Sequence, residues 1–292
     1  MKLFISALQS NVNSVKITEE APPSESILYH YTSFQSALNI IESEKLWTTH
    51  IKYLNDLKEF QHAVDLTRNI LTLKLRNNKN ELEVFIYKLL LDWIKNKNGA
   101  NTFIFSLTEK SDLLSQWRGY CTKGGVSIGF NYSKLKAKSK SQGFRLVKCV
   151  YDIEKQEEFI EKIINEIKDK YTKNHTSYVG SKINELSQQF YSSFLLMATR
   201  LKHPSFREEK EWRLIGGPFS NKLEKFKFRS ALQMLIPFYE FDLFSDKNLM
   251  IEKIVIGPNK DQQLAGDSFR LYIHKKEKGW SLKNSEIPFK GE

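Results

Sequence analysis

Cysteine is almost absent from this chain of 292 residues. Cys121 and Cys149 are too few for a disulfide framework, and no Cys/His cluster has zinc-ligand spacing. A reducing compartment, a cytoplasmic location and no bound metal are therefore expected. Glycine and proline are also scarce, at 13 and 7. No G-x-G-x-x-G or G-x-x-x-x-G-K-[ST] stretch opens a helix, which leaves Rossmann and P-loop nucleotide folds without support. No run of roughly 18 apolar residues is free of charge, so no membrane span is expected. The opening MKLFISALQS is too short for the apolar core of a secretory signal. Internal repeats and low-complexity tracts are missing as well.

Apolar and aromatic residues are plentiful. The hydrophobic fraction is 40%, with 20 Phe, 12 Tyr and 5 Trp, enough for a sizeable core. The formal charge of +11 is unevenly spread: residues 101–150 hold nine basic residues against two acidic ones, the largest excess of any segment. Lys123, Lys134, Lys136, Lys138, Lys140 and Arg145 fall within it and are candidate nucleic-acid contacts. A solubilising surface would have the same composition. Lysines of this kind steer a polyanion without reading its sequence.

Residues 1–26 form a weakly patterned leader ending at Pro22-Pro23-Ser24. Strand patterns then occupy Ile27–Tyr31, Leu46-Trp47, Thr102–Leu107, Gly125–Phe130, Phe144–Tyr151, Trp212–Ile215, Phe226–Phe228, Met234–Phe238 and Ile251–Ile256. Helical periodicity marks the segment after Ser33, 55–76, 82–94, a short stretch around Leu113–Trp117, and two patterns within 154–200, with one more helix and strand closing the chain. Strands at both ends with helices clustered between them predict an α+β fold, a single domain over 27–292 with helical insertions at about 55–98 and 154–200.

Four clusters could carry chemistry. Tyr29-His30-Tyr31-Thr32-Ser33 sits where a strand meets a helix N-terminus, a place suited to a ribose, amide or phosphate, although packing tyrosines and a capping Ser33 account for it equally. Tyr53-Leu54-Asn55-Asp56 with Glu59 reads as a helix cap. Phe105-Ser106-Leu107-Thr108 precedes Ser115-Gln116-Trp117-Arg118-Gly119-Tyr120. Ser106 and Thr108 share one strand face, while Trp117, Arg118 and Tyr120 offer stacking and anion contacts or, in the plainer reading, core packing and a surface ion pair. Finally, Arg207-Glu208-Glu209-Lys210-Glu211-Trp212-Arg213 would place Glu209, Glu211 and Arg213 on one face if the strand begins there. Paired carboxylates can stabilise an oxocarbenium-like centre as a glycosidic bond breaks, and they can equally end a solvated, charged strand.

The succession Y-H-Y-T-S, L-W, L-N-D-x-x-E, F-S-L-T, L-S-x-W-R-x-Y, G-G-V-S-I-G-F, H-P-x-F-x-E-E-K-E-W-R-L-I and I-V-I-G-P, over about 27–258, resembles a bacterial domain family of unknown function. That family in turn looks like a divergent branch of the ADP-ribosyltransferase superfamily, of the toxin–antitoxin and phage-defence kind. The resemblance implies split mixed or antiparallel sheets and NAD as substrate. It gives His30, with Thr32 and Tyr31 beside it, the nicotinamide ribose. Ser106, Trp117, Arg118 and Tyr120 would line the NAD pocket, Tyr120 by stacking. Glu211 would be the catalytic glutamate and Glu209 the partner in an E-x-E pair, while Arg118 or Arg213 would meet the pyrophosphate. It also implies a cognate antitoxin or inhibitor protein.

An NAD-dependent ADP-ribosyltransferase acting on a nucleic acid, RNA before DNA, is thus the expected activity. Two rivals stand beside it: a nucleic-acid-binding or effector-sensing module without catalysis, and a metal-dependent nuclease using Asp56, Glu59, Glu209 and Glu211. The transferase reading requires His30, Tyr120 and Glu211 to converge on one cleft.

Overall fold

A computed structural model describes Pro23 and residues 26–54, 57–96, 101–174, 181–231, 233–245 and 248–288. Most of the 1–26 leader, Asn55-Asp56 and Gly99 lie outside the described residues. Along the chain run β1 (Ile27–Thr32), α1 (Phe34–Ser43), β2 (Lys45–His50), a 3-10 turn (Ile51–Tyr53), α2 (Leu57–Asn77), α3 (Glu81–Asn96), β3 (Phe103–Thr108), α4 (Leu114–Tyr120), β4 (Val126–Asn131), α5 (Tyr132–Ser141) and β5 (Phe144–Lys148). Then come α6 (Ile153–Asn174), α7 (Ser181–Ala198), another 3-10 stretch (Pro204–Glu209), β6 (Glu211–Gly216), β7 (Phe226–Ser230), β8 (Leu235–Asp242), β9 (Phe244–Ser245), β10 (Asn248–Leu249), β11 (Ile251–Ile256), α8 (Gln262–Lys275) and β12 (Ser281–Asn284). The class is α+β, as the element order predicts. Among the described residues no helix is long and apolar enough to cross a membrane.

Two compact units divide the chain. The helical one takes Ile51–Ala100 and Cys149–Phe206, so the two expected helical insertions fold together. Residues at helical spacing on α2, α3, α6 and α7, among them Leu71, Leu90, Ile164 and Phe190, make its core. A buried ion pair joins Glu59 of α2 to Lys202, with Nζ and Oε1 3.4 Å apart.

The other unit is built on a sheet ordered β12-β11-β4-β1-β3-β2-β8-β7, with β6 on a further edge of β3 and β5 outside β6. Its pairings are antiparallel except β11 with β12. β6 runs alongside the whole of β3, from Phe103↔Gly216 to Thr108↔Glu211. The opposite edge of β3 is divided. β2 takes its start through Thr49↔Ile104 and His50↔Phe103, and β1 takes its end through Tyr29↔Thr108, so the sheet splits at β3.

Strand alternation sorts the side chains. Phe103, Phe105 and Leu107 of β3 and Trp212 and Leu214 of β6 enter the main core beside Leu28, Phe130 and Phe241. Burial of each such side chain contributes about 2–3 kcal/mol. The lysine-rich stretch that periodicity left unassigned is α5, capped by the Asn131 side chain, which accepts from the Lys134 N–H at 2.9 Å. Tyr132, Leu135 and Ser139 are its buried positions, too few apolar residues to mark a helix by pattern.

The G-G-V-S-I-G-F motif has a steric origin. A Cβ on Gly125 would stand 2.3 Å from the Thr32 carbonyl oxygen, and one on Gly129 2.8 Å from the Tyr29 ring, so both glycines admit β1 against β4. Gly125→Ala is expected to lower stability by about 1–3 kcal/mol in urea unfolding. Gly119→Ala, inside α4 with nothing within 4 Å of the added Cβ, should raise it by about 0.4–1 kcal/mol.

Candidate active site

A partly open cleft with an enclosed volume of about 40 Å³ lies where β1 and β3 diverge, lined by Tyr29, His30, Tyr31, Ser106, Leu107, Thr108, Gln116, Tyr120, Glu209 and Glu211. Three regions far apart in sequence supply it: β1, β3 with the α4 that follows it, and the entry to β6. His30, Tyr120 and Glu211 therefore converge on one cleft.

On β1, Tyr29 and Tyr31 pack in a cluster with Trp117, Cys121 and Val255, while the His30 ring lies against Phe105, centroids 4.1 Å apart and tilted by 33°. His30 Nδ1 lies 3.0 Å from the Ser106 carbonyl oxygen. A carbonyl only accepts, so Nδ1 carries the proton and Nε2 is left as an acceptor. Burial pushes the imidazole down to about 4, against which the Ser106 hydrogen bond acts weakly, so the ring is neutral at pH 7. A neutral ring with an acceptor Nε2 suits a ligand hydroxyl.

Helix α4 presents Gln116 and Tyr120 to the pocket, one turn apart. It is held by Trp117, whose indole N–H donates to Asp112 Oδ1 at 2.6 Å and whose ring meets Tyr31 edge-on at 4.5 Å. Tyr120 is 49% exposed at the mouth, whereas Gln116 is buried.

The third wall shows why E-W-R occurs as a unit. Thr108↔Glu211 and Ser106↔Arg213 are register pairs, so these four residues share the face opposite the core. Arg213 donates from Nε to Glu211 Oε1 at 2.7 Å and from Nη2 to Oε2 at 3.2 Å. Glu211 is 4% and Arg213 3% exposed. A two-point guanidinium clamp both orients a carboxylate and offsets its charge, which a buried anion requires. Between them Trp212 points into the core, its indole N–H donating to Glu109 Oε1 at 2.9 Å. Glu109 also receives Lys148, and together the lysine and the indole hold its carboxyl below the usual range.

Glu209 differs from the strand reading. It ends the 3-10 stretch, and Lys210, at φ 43°, breaks the alternation before β6 begins. Glu209 and Glu211 are thus not neighbours on one strand face. They share the pocket because the Thr108 hydroxyl donates to the Glu209 carbonyl and the Glu109 N–H donates to the Lys210 carbonyl, folding the turn against β3.

Of the expected cofactor residues, His30, Tyr31, Ser106 and Tyr120 line the pocket with both glutamates. Thr32, Trp117, Arg118 and Arg213 do not. Trp117, 1% exposed, is core, and Arg213 is committed to Glu211, so neither offers the stacking or pyrophosphate contact expected of it. Arg118 lies exposed on α4. Thr108, Gln116 and Tyr29 were missed, although Thr108 and Gln116 belong to the F-S-L-T and S-Q-W-R elements already singled out.

The basic segment does not form one stripe. On α5, Lys134 and Lys138 flank one side of the buried positions and Lys136 and Lys140 the other. Lys134 approaches Glu252, and Lys136 donates to the Tyr132 hydroxyl. Lys123 is exposed after α4, and Arg145 is half-buried on β5. None of them lines the pocket. The nuclease reading gains nothing. Glu59 sits in the helical unit paired with Lys202, Asp56 is outside the described residues, and among the described residues no group of three His, Cys, Asp or Glu could hold a metal ion.

A family model described as a protein of unknown function (DUF2971) matches residues 116–214, well under half of the chain. The match takes in Gln116, Tyr120, Glu209, Glu211 and Arg213 and stops short of the Tyr29–Ser33 element. No curated protein and no solved structure matches the chain.

The His30 environment has a pH signature. Its folded value lies below the unfolded value of about 6.5, so from there down to about 4 the unfolded chain binds a proton that the folded chain refuses. Acidification through that window should remove about 2–3 kcal/mol of stability, with no effect of this group above it. In thermal unfolding followed against pH, His30→Gln should lose that component relative to wild type.

Proposed function

We propose that the protein is an NAD-dependent ADP-ribosyltransferase whose reaction centre is the His30–Glu211 pocket, with a nucleic acid as acceptor. What carries the reading is the convergence of His30, Tyr120 and Glu211 on one cleft at the split of the sheet. A split sheet with a histidine on its first strand and a glutamate at the start of a later one is also the arrangement implied by the superfamily resemblance.

The charge of the cleft argues for one end of the substrate. Its lining includes a neutral imidazole and two carboxylates, of which Glu211 is offset by the Arg213 clamp behind it, and no lysine or arginine, so one negative charge remains. Such a site favours a cation and repels a phosphate. The cationic nicotinamide and its ribose therefore enter, and the pyrophosphate stays outside.

Each group then has a task. His30 Nε2 accepts from a ribose hydroxyl, Gln116 offers both an amide donor and an acceptor, and Tyr120 covers the mouth. As the bond from the ribose to nicotinamide breaks, its electron pair goes to the pyridinium nitrogen and positive charge develops on the sugar. Glu211, fixed by Arg213, stabilises that charge. The acceptor nucleophile forms the new bond and loses its proton.

Incubation with NAD and RNA, DNA or lysate should release nicotinamide, with transfer to polynucleotide and no sensitivity to EDTA. Glu211→Gln is expected to reduce release by about 10²–10³-fold with KM little changed. Nicotinamide release at the wild-type rate by that variant would sink the assignment. Arg213→Lys, which keeps the charge but loses the two-point clamp, should lower kcat by about tenfold or more.

A further inference from the structure

The face of the sheet that carries Glu211 extends to its far edge, and its exposed part there has a distinct composition. Register pairs project to one side of a sheet, so Ile104 of β3 leads to Thr49 of β2, Thr49 to Phe238 of β8, and Phe238 to Lys227 of β7. By alternation Trp47, Glu240 and Arg229 stand on that same face. Lys45 joins them.

Trp47 is 38% exposed, while Phe238 stacks on its inner side at 4.5 Å with a 27° interplanar angle. An indole backed by a buried ring is rigid and presents its other side outward. Glu240 is buried between two lysines, accepting from Lys45 at 2.8 Å and from Lys227 at 3.0 Å. Asp242, opposite Lys45 on the same face, pairs with Lys225, and Glu224 also acts on Lys45, so Lys45, Lys225, Lys227 and exposed Arg229 outnumber the three carboxylates by one; Arg229 donates to Thr49.

We propose that this β2–β8–β7 face binds single-stranded nucleic acid, a base stacking on Trp47 and backbone phosphates meeting Lys227 and Arg229. An aromatic plate edged with cations recognises unpaired strands without sequence preference, because every base offers a π-face. A duplex keeps its bases stacked and an acidic peptide makes no use of the indole, so neither fits the whole surface. The inference rests on the transferase reading only for its purpose, the presentation of an acceptor strand to the pocket. Binding itself is independent of NAD.

The test is fluorescence anisotropy with labelled single-stranded RNA and DNA of mixed sequence, their duplexes and poly-glutamate, measured without NAD. Both single strands should bind more tightly than duplex or poly-glutamate, and the RNA-to-DNA ratio reports any contact to the 2′-hydroxyl. Trp47→Ala should weaken strand binding by about tenfold to a hundredfold, with Trp47→Phe restoring it to within about threefold. Lys227→Gln with Arg229→Gln should lower the slope of log affinity against log salt by about 1.4, two phosphate contacts at roughly 0.7 each. Wild-type binding by the Trp47→Ala and Lys227→Gln/Arg229→Gln proteins, or equal binding of poly-glutamate, overturns the proposal. Nicotinamide release without acceptor should be unaltered in these variants. Its absence from wild type alongside intact strand binding would fail the transferase reading alone.

Discussion

One edge of β3 is claimed by two strands, and the site follows from that competition. A strand edge offers a single row of backbone donors and acceptors, so β2 and β1 can both pair with it only by taking different ends. Past Tyr29↔Thr108 β1 leaves the edge of β3, and the opening between those two strands is the pocket. β6, paired along the other edge, fixes Glu211 opposite Thr108, at the end where the opening lies. Without the division, β3 would be a fully paired central strand with no room for a ligand.

The polar residues at the opening are held rather than merely gathered. His30 is locked in one tautomer by the Ser106 carbonyl, Glu211 is clamped by Arg213, and the turn bearing Glu209 is tied to Thr108. Each tie uses a group on or beside β3, so the site inherits the rigidity of the core strands. Trp212 and Trp117 supply the buried counterweight, each with its indole N–H satisfied by a carboxylate. The lining keeps one carboxylate beyond the pair that Arg213 offsets and has no lysine or arginine of its own, which separates this cleft from the basic exterior of the chain. The proposed reaction centre and the proposed strand-binding face lie on different parts of the sheet.

Much of this was legible beforehand because it is written in short-range pattern. Period-two alternation marked Ser106 and Thr108 as sharing a face, and the same rule worked for Glu211 and Arg213. It failed two residues before Glu211, at Glu209, since a left-handed Lys210 interrupts the strand and nothing in lysine itself announces that conformation. Trp117 and Arg213 were credited with ligand contacts because an aromatic and a guanidinium can serve either a core or a site, and composition does not distinguish the two. Helix α5 shows no such pattern for the opposite reason: a cap and three buried residues, one of them a serine, suffice to form it, while its lysines show no apolar period.

By itself, then, the sequence determined the class of fold, the identity of the polar elements, and the local faces on which their side chains stand, because those depend on propensity and periodicity within a few residues. Tertiary structure alone decided which elements meet. That β1 and β2 divide one edge, that 51–100 and 149–206 fold together, that Glu211 stands opposite Thr108, and that Trp47 stands on the face of the sheet that holds Glu211 all depend on pairing between distant segments. Backbone hydrogen-bonding groups are the same in every residue, so the choice of partner strand is settled by the packing of the whole core rather than by any local signal.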